Sequence, residues 1–203
     1  MPESCRFLTS SLLLLIACSL PGAAARAGDS EGQFAVRGAG LISCEMFVEA
    51  RASQGNAYFV VAGWVDGYIT GMNQYAPDTY DVLSFEGTEL LMIIVDRHCK
   101  ENPTDPVFGV LNSLLQELWS DRLTERSEKL EFAVGEREGR HYAEFIKRMQ
   151  QKLRDQGLFE GNANGELTPA TIEAISRYQA SIGFEATGFP DQMTLWRLLR
   201  SPD

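Results

Sequence analysis

Residues 145–199 read FIKRMQQKLRDQGLFEGNANGELTPATIEAISRYQASIGFEATGFPDQMTLWRLL and carry the strongest structural signal of the chain. Apolar residues recur there at helical spacing in three short blocks, which predicts three helices. Gly157 and Gly183 stand where a left-handed residue would end the first and the second helix. Thr168, which precedes a proline, is typical of a helix start, and Asp191 is the expected N-cap of the third helix.

The order of residues in this block resembles the three-helix type of peptidoglycan-binding domain found at the ends of many bacterial wall hydrolases. The resemblance covers the last third of the chain and implies such a domain over residues 140–203. Two positions depart from the family pattern, since Asn164 stands where Asp is commoner and Thr168 where Gly is commoner. The resemblance is carried by Ile146, Met149, Gln150, Leu153, Gly157, Asn164, Gly165, Thr168, Thr171, Ala174, Tyr178, Gln179, Gly183, Thr187, Gly188, Thr194 and Leu198.

The resemblance also implies a shallow binding groove beside the loop before the second helix and along that helix. An aromatic face is expected from Tyr178, and hydrogen bonds to a stem peptide or amino sugar from Thr171, Arg177 and Gln179. By helical phase Tyr178 equally fits the core, and Thr171 equally fits a brace for the loop. Arg177 is exposed by phase and is therefore the better test. The full set of expected ligand-binding residues is Asn164, Gly165, Thr171, Arg177, Tyr178 and Gln179.

The first 27 residues are typical of a cleaved signal peptide. The segment 8–20 is mostly apolar, and Ala25-Arg26-Ala27 has the small-x-small pattern of a cleavage site. The apolar segment is too short to span a membrane, so we expect a soluble mature protein in the periplasm or elsewhere outside the cytoplasm. A second interpretation is a lipoprotein, because Leu15-Ile16-Ala17-Cys18 fits a lipobox and Cys18 would then carry the lipid.

Negative charge is concentrated before residue 141. Between residues 28 and 140 there are nine basic and 19 acidic side chains, whereas residues 141–203 have seven and eight. Because phosphate binding needs clustered Lys and Arg, nucleic acid is not an expected partner. Acidic side chains on an exported protein are explained by solubility, and they could also select charged partners.

Cys44 and Cys99 are the two cysteines that remain after cleavage at Ala27, and in an oxidising compartment such a pair predicts one disulfide bond. A metal site is the competing interpretation. It would need more ligands, and the chain has only two histidines, His98 and His141. We therefore expect a structural disulfide, no metal and no cofactor.

Four helices are predicted in residues 28–120, which we interpret as a disulfide-linked helical domain. Ser43 is the expected N-cap of the first helix and Asn56 of the second, the third spans about 88–99, and Asp105 opens the fourth. The apolar stripe predicted for the second helix consists of Val60, Trp64, Tyr68, Met72 and Tyr75. The same helix has glycines at positions 63, 67 and 71. The preferred explanation for them is close packing of another helix backbone, and the alternative is a ligand or partner on a bare face.

This part of the chain is also similar to two kinds of small periplasmic helical protein with one disulfide. The Cys-Glu-x-Phe start at Cys44 resembles acid-stress chaperones of the HdeA type, and the glycine-rich second helix resembles immunity proteins of the Tai type. The match covers roughly residues 41–119. It implies a helical fold with a disulfide, and it leaves open whether the domain is a chaperone or an immunity factor.

Residues 121–139 are almost entirely charged and polar. Pairs of opposite charge at helical spacing suggest a charged helical extension that frays into a linker near Gly135 and Gly139. The predicted fold class is therefore all-α, with a helical N-terminal domain, this linker, and a three-helix domain from residue 140.

The motifs that mark common enzymes are absent from the sequence. It has no His-Glu-x-x-His, no Gly-x-Ser-x-Gly and no phosphate-binding glycine loop. A pair of carboxylates acting as a glycosidase is not excluded by motif. We expect a non-catalytic protein that binds peptidoglycan through its C-terminal domain and localises the N-terminal domain at the cell wall. The alternative is a periplasmic chaperone or immunity-type protein whose C-terminal domain is only an address or interaction module, with a second periplasmic protein as partner.

Overall fold

Helices form most of residues 28–200, the part of the chain that this computed structural model describes. The predicted signal peptide, residues 1–27, lies outside the described residues. The described residues fall into two compact units, residues 28–35 and residues 36–200. In the described part of the first unit, the carboxylate of Asp29 accepts hydrogen bonds from the backbone N–H groups of Glu31 and Gln33. All elements given below belong to the second unit.

The second unit begins with a front region, residues 36–121, and ends with a rear region, residues 129–200. The connecting segment, residues 122–128, joins them. The front region has the helices α1 (Cys44–Ser53), α2 (Asn56–Tyr75), α3 (Thr88–Glu101) and α4 (Val107–Leu118), with short 3₁₀ helices at Gly38–Leu41 and Trp119–Asp121. The rear region has the strands β1 (Lys129–Val134) and β2 (Arg137–Tyr142) and the helices α5 (Ala143–Asp155), α6 (Pro169–Ser181) and α7 (Gln192–Arg200).

Several helix ends lie where the sequence predicts them. The Ser43 hydroxyl accepts from the backbone N–H of Met46 at the start of α1, and the Thr168 hydroxyl does the same for Thr171 at the start of α6. Gly183 ends α6 with φ +76°. The start of α4 is one residue later than predicted, since Pro106 is the N-cap.

The predicted disulfide between Cys44 and Cys99 is confirmed. It joins the start of α1 to the end of α3, and both cysteines are buried in a core that the four front helices share. The largest fully buried side chains of that core are Phe47, Leu91, Met92, Leu111 and Leu115.

The predicted helical extension at residues 121–139 is wrong, because most of that segment is a β-hairpin. β1 and β2 pair antiparallel, with Lys129 opposite Tyr142 and Val134 opposite Arg137. Along β1 exposed and partly buried residues alternate, the period of a strand with one face covered. Gly135, with φ +62°, closes the turn. The Phe132 ring packs against the ring of Phe189 at 5.7 Å, which fixes the hairpin on the segment between α6 and α7.

The front and rear regions share a hydrophobic core, so residues 121–139 are not the boundary that the charge pattern suggests. Phe85, Leu90 and Leu123 belong to the same buried cluster as the apolar faces of the rear helices. The ring of Phe85 lies 4.9 Å from that of Phe145. The rear helices contribute to this cluster through Phe145, Ile146, Met149, Leu153, Ala174, Ile175, Tyr178, Leu195 and Leu198.

Helix α2 buries a different face from the predicted one. Its buried residues are Tyr58, Val61, Val65 and Ile69, while Val60 and Tyr75 are 63% and 81% exposed. Trp64, Tyr68 and Met72 are partly buried against the core. Because this helix is apolar around most of its circumference, helical periodicity alone does not select one face.

The glycines of α2 are not contacted by another helix backbone, contrary to the preferred explanation. Within the described residues, a Cβ built on Gly63, Gly67 or Gly71 meets no atom within 4 Å beyond its chain neighbours and the nearby backbone of α2 itself. Replacing all three by alanine is therefore expected to increase the free energy of unfolding by about 0.5–1 kcal/mol per site, since alanine favours the helix. Chemical denaturation measures this change.

The matched control for this prediction is Gly188→Ala. Gly188 has φ +70°, and its Cβ would lie 2.6 Å from Cγ2 and 2.9 Å from the carbonyl oxygen of Ile172. This variant is expected to be less stable than the wild type, because the strained backbone and the clash act together. A lower free energy of unfolding in the variant with alanine at positions 63, 67 and 71 would contradict the conclusion that this face of α2 is open.

Candidate functional site

A buried glutamine holds the loop between α5 and α6. Gln150 is 0% exposed, and its Oε1 accepts from the backbone N–H of Gly165 at 2.9 Å. Its Nε2 donates to the carbonyl of Glu166 at 2.8 Å and to the hydroxyl of Thr171 at 2.9 Å. Gly165 has φ +84°, and a Cβ there would lie 2.6 Å from the carbonyl oxygen of Ala143. Glycine is therefore required at this position, and the loop has one well-determined path.

The same device recurs between α6 and α7. Gln179 is 1% exposed, and its Oε1 accepts from the backbone N–H of Gly188 at 2.8 Å. Its Nε2 donates to the carbonyl of Phe189 at 3.0 Å and to the hydroxyl of Thr194 at 3.1 Å. In both networks the glycine stands six positions before the threonine. The rear region is thus built on two copies of one loop-holding arrangement.

These networks correct the roles predicted for three site residues. Thr171 and Gln179 are buried, and their polar atoms are hydrogen-bonded to the chain itself. They hold the loops and do not present hydrogen bonds to a ligand. Gly165 is likewise buried, with its N–H used by Gln150. The sequence identifies the right residues, but burial decides their role.

Tyr178 and Arg177 differ in their exposure to solvent. Tyr178 is 6% exposed in the core of the rear region, and burial raises the pKa of its phenol. It therefore presents no aromatic face. Arg177 is exposed, pairs with Glu173 at 2.7 Å and donates to the carbonyl of Leu158 at 2.6 Å. Of these two, Arg177 is the one that a ligand can reach.

A polar cavity of about 520 Å³ opens beside Asn164, where the connecting segment passes the start of α5. One wall is rear-region surface and includes Glu144, Lys147 and Asn164. The other wall is Thr124–Glu128 of the connecting segment. Asn164 is the one predicted site residue that lines this cavity.

Hydrogen bonds fix the two walls relative to each other. The Ser127 hydroxyl accepts from the backbone N–H of Glu144 at 3.0 Å, and the carbonyl of Glu128 accepts from that of Ala143 at 2.8 Å. Arg148 donates to the carbonyl of Asp121 at 2.7 Å. The cavity is therefore a preformed feature between two tethered segments.

The connecting segment is part of the candidate site that was not predicted from the sequence. The available signal was the alternation of Leu130, Phe132 and Val134, which predicts a strand. A strand followed by a tight turn at Gly135 would return the chain to its starting point and bring residues 124–128 next to α5. Opposite charges at helical spacing in the same segment favoured the prediction of a helix instead.

Between residues 28 and 200, no group of three or more His, Cys, Asp or Glu side chains is placed to hold a metal ion. None of the helices in that range has the length and apolar character needed to cross a membrane.

Comparison with known proteins bears on the rear region. Residues 143–198 match the family model described as "Putative peptidoglycan binding domain". No match to the chain was found among curated proteins or among solved structures. The likeness of the front region to HdeA-type or Tai-type proteins therefore stays a prediction. A domain of the matched family suggests a cell-wall-associated, extracytoplasmic location. The rear region, at residues 143–198, is thus similar to the peptidoglycan-binding domain that its sequence pattern predicts.

Proposed function

We propose that this protein is an exported, non-catalytic peptidoglycan binder that holds its front region at the cell wall. The main support for this proposal is the match of residues 143–198 to the peptidoglycan-binding family. The polar cavity beside Asn164 supports it, because it gives the matched segment an accessible, preformed surface. The predicted signal peptide and the disulfide are consistent with an oxidising compartment outside the cytoplasm.

Polar contacts between the front and rear regions support the proposal that the rear region holds the front region at the wall. The side chain of Glu86 is 0% exposed and pairs with Arg200 at 2.6 Å. Gln192 accepts from the backbone N–H of Gly87 at 2.9 Å and donates to the carbonyl of Phe85 at 2.8 Å. A rear region bound to the wall would therefore carry the front region in a defined orientation.

Sedimentation with insoluble peptidoglycan sacculi tests the proposal. The protein for this experiment is residues 28–203, and a fragment starting at residue 140 is unsuitable. Such a fragment would lack Phe85, Leu90 and Leu123 and would expose the rear core. Insoluble cellulose serves as the control polymer, because it pellets without offering stem peptides.

Arg177→Glu is expected to reduce the fraction that pellets with sacculi. Peptidoglycan is a polymer that extends beyond one cavity, and Arg177 offers an exposed cation on α6. The free energy of unfolding should change by less than about 1 kcal/mol, because both partners of the Glu173 pair are exposed. Arg154→Glu, at the exposed end of α5, is the matched control for charge. Equal pelleting of the two variants would remove Arg177 from the binding surface.

A second candidate function, binding of another periplasmic protein by the front region, is favoured by the exposed face of α2. Phe59, Val60 and Tyr75 are 65%, 63% and 81% exposed, and the glycines between them leave the backbone accessible. A chaperone of this kind would suppress aggregation of an acid-denatured reporter protein. The Phe59→Ser/Tyr75→Ser variant should then lose that activity while still pelleting with sacculi.

A further inference from the structure

We propose that the cavity between the connecting segment and α5 binds the free carboxylate end of a peptidoglycan stem peptide, with Arg126 and Lys147 as the ligand cations. This inference rests on the proposed function. The ligand is a peptide carboxylate, and one of the cations that bind it is outside the matched family segment. Arg126 lies in the connecting segment, 17 positions before residue 143, where the family match begins. The site is therefore incomplete in the family domain alone.

The character of the cavity favours a charged peptide over a glycan. Its lining includes three cations and three anions and no aromatic ring. Sugar rings pack their C–H faces on aromatic side chains, and such a platform is missing from this cavity. Charged and hydrogen-bonding groups instead suit a ligand that has both carboxylate and ammonium groups, as a stem peptide containing a diamino acid does.

The ammonium group of Lys147 can bind a ligand in addition to Glu144. Its side chain is 57% exposed, and its ion pair with Glu144 is long, at 3.9 Å. An ammonium group has three donors, so a carboxylate can be bound without breaking the fold. Arg126 is exposed, and among residues 28–200 it has no hydrogen bond or ion pair. A guanidinium in this state can bind a carboxylate with two parallel hydrogen bonds.

The third cation of the cavity, Arg148, has a structural role. It pairs with Glu144 at 3.4 Å and donates to the carbonyl of Asp121 at 2.7 Å. It therefore ties α5 to the end of the front region. Glu125 and Glu128 are exposed on the opposite wall, and their carboxylates have no hydrogen bond or ion pair within residues 28–200. They would face the ammonium group of the ligand.

Calorimetric titration of residues 28–203 tests this assignment. The probe is a synthetic stem tetrapeptide with a free C-terminal carboxylate and a diamino acid, and the comparison probes are its C-terminal amide and an N-acetylglucosamine oligomer. We expect the carboxylate peptide to bind at least about tenfold more tightly than the amide, since a charge-assisted contact is lost. Binding should weaken as salt is raised, because both cations are exposed.

Arg126→Gln and Lys147→Gln are each expected to weaken binding of the carboxylate peptide by about five- to tenfold. Both side chains are exposed, so unchanged thermal unfolding should show that the fold is intact. Arg154→Gln, on α5 outside the cavity, is the control and should bind as the wild type does. Wild-type affinity in both cavity variants, or a preference for the glycan oligomer, would overturn the assignment.

Pelleting with sacculi, measured on the same proteins, separates this inference from the proposed function. A wild-type protein that pellets but does not bind the tetrapeptide would overturn the cavity assignment and leave wall binding in place. A wild-type protein that binds the tetrapeptide but does not pellet would support the cavity and contradict wall anchoring.

Discussion

Replacing Arg200 by methionine is expected to lower the free energy of unfolding by about 3–5 kcal/mol, because it leaves a buried carboxylate without its partner. The side chain of Glu86 is 0% exposed and that of Arg200 is 13% exposed. The same guanidinium also pairs with Asp121. Loss of the cation therefore removes the charge balance at the contact between the front and rear regions. Guanidinium chloride denaturation followed by circular dichroism measures the effect.

Arg197→Met is the matched control, because it removes an exposed arginine from the same helix and should change stability by less than about 0.5 kcal/mol. The double variant Glu86→Gln/Arg200→Met should recover part of the loss. A glutamine at position 86 can still accept from the backbone N–H groups of Ser84 and Phe85, and it has no charge to balance. Equal stability of Arg200→Met and Arg197→Met would show that the regions are not held by this pair.

The second large effect is expected from the disulfide. The Cys44→Ala/Cys99→Ala variant should lose about 4 kcal/mol, the chain-entropy value for a loop of this size. The two cysteines are 55 positions apart, and both are buried in the front core. Denaturation with and without dithiothreitol provides the control, because the reductant should destabilise the wild type and leave the variant unchanged. A loss below about 1 kcal/mol would contradict a structural role.

Local signals explain the parts of the fold that the sequence predicts well. Ser43 and Thr168 cap their helices with their own hydroxyls, and Gly183 ends α6 with a left-handed backbone. Each of these depends on a few neighbouring residues, so one sequence is enough to recognise it. The cysteine pair is predictable for a different reason, since only two cysteines follow the predicted cleavage site and two cysteines have one possible pairing.

Tertiary contacts decide the parts that the sequence analysis predicted wrongly. Residues 125–131 have opposite charges at helical spacing, whereas the overlapping residues 130–134 have an alternating apolar pattern. The Phe132 ring packs on the ring of Phe189, which is 57 positions away in the sequence, and this contact fixes the strand. On α2 the apolar residues surround most of the helix, and α1 and α3 settle which face is buried.

The candidate site also has a part that local sequence predicts and a part that depends on tertiary contacts. The sequence pattern singles out Gln179 and Thr171, but it cannot tell a polar side chain that contacts a ligand from one that holds a loop. Both are buried and hydrogen-bonded within the chain. Asn164 borders the cavity as expected, whereas the opposite wall comes from residues 124–128, which no local pattern links to the loop.

Equilibrium pelleting of purified residues 28–203 with peptidoglycan sacculi is the direct test of wall binding. The bound fraction is measured as the protein concentration is raised, with cellulose as the control polymer. We expect saturable binding to sacculi, none to cellulose, and less binding by Arg177→Glu than by Arg154→Glu. A protein that stays in the supernatant at every concentration, while its circular dichroism shows a folded chain, would contradict wall binding.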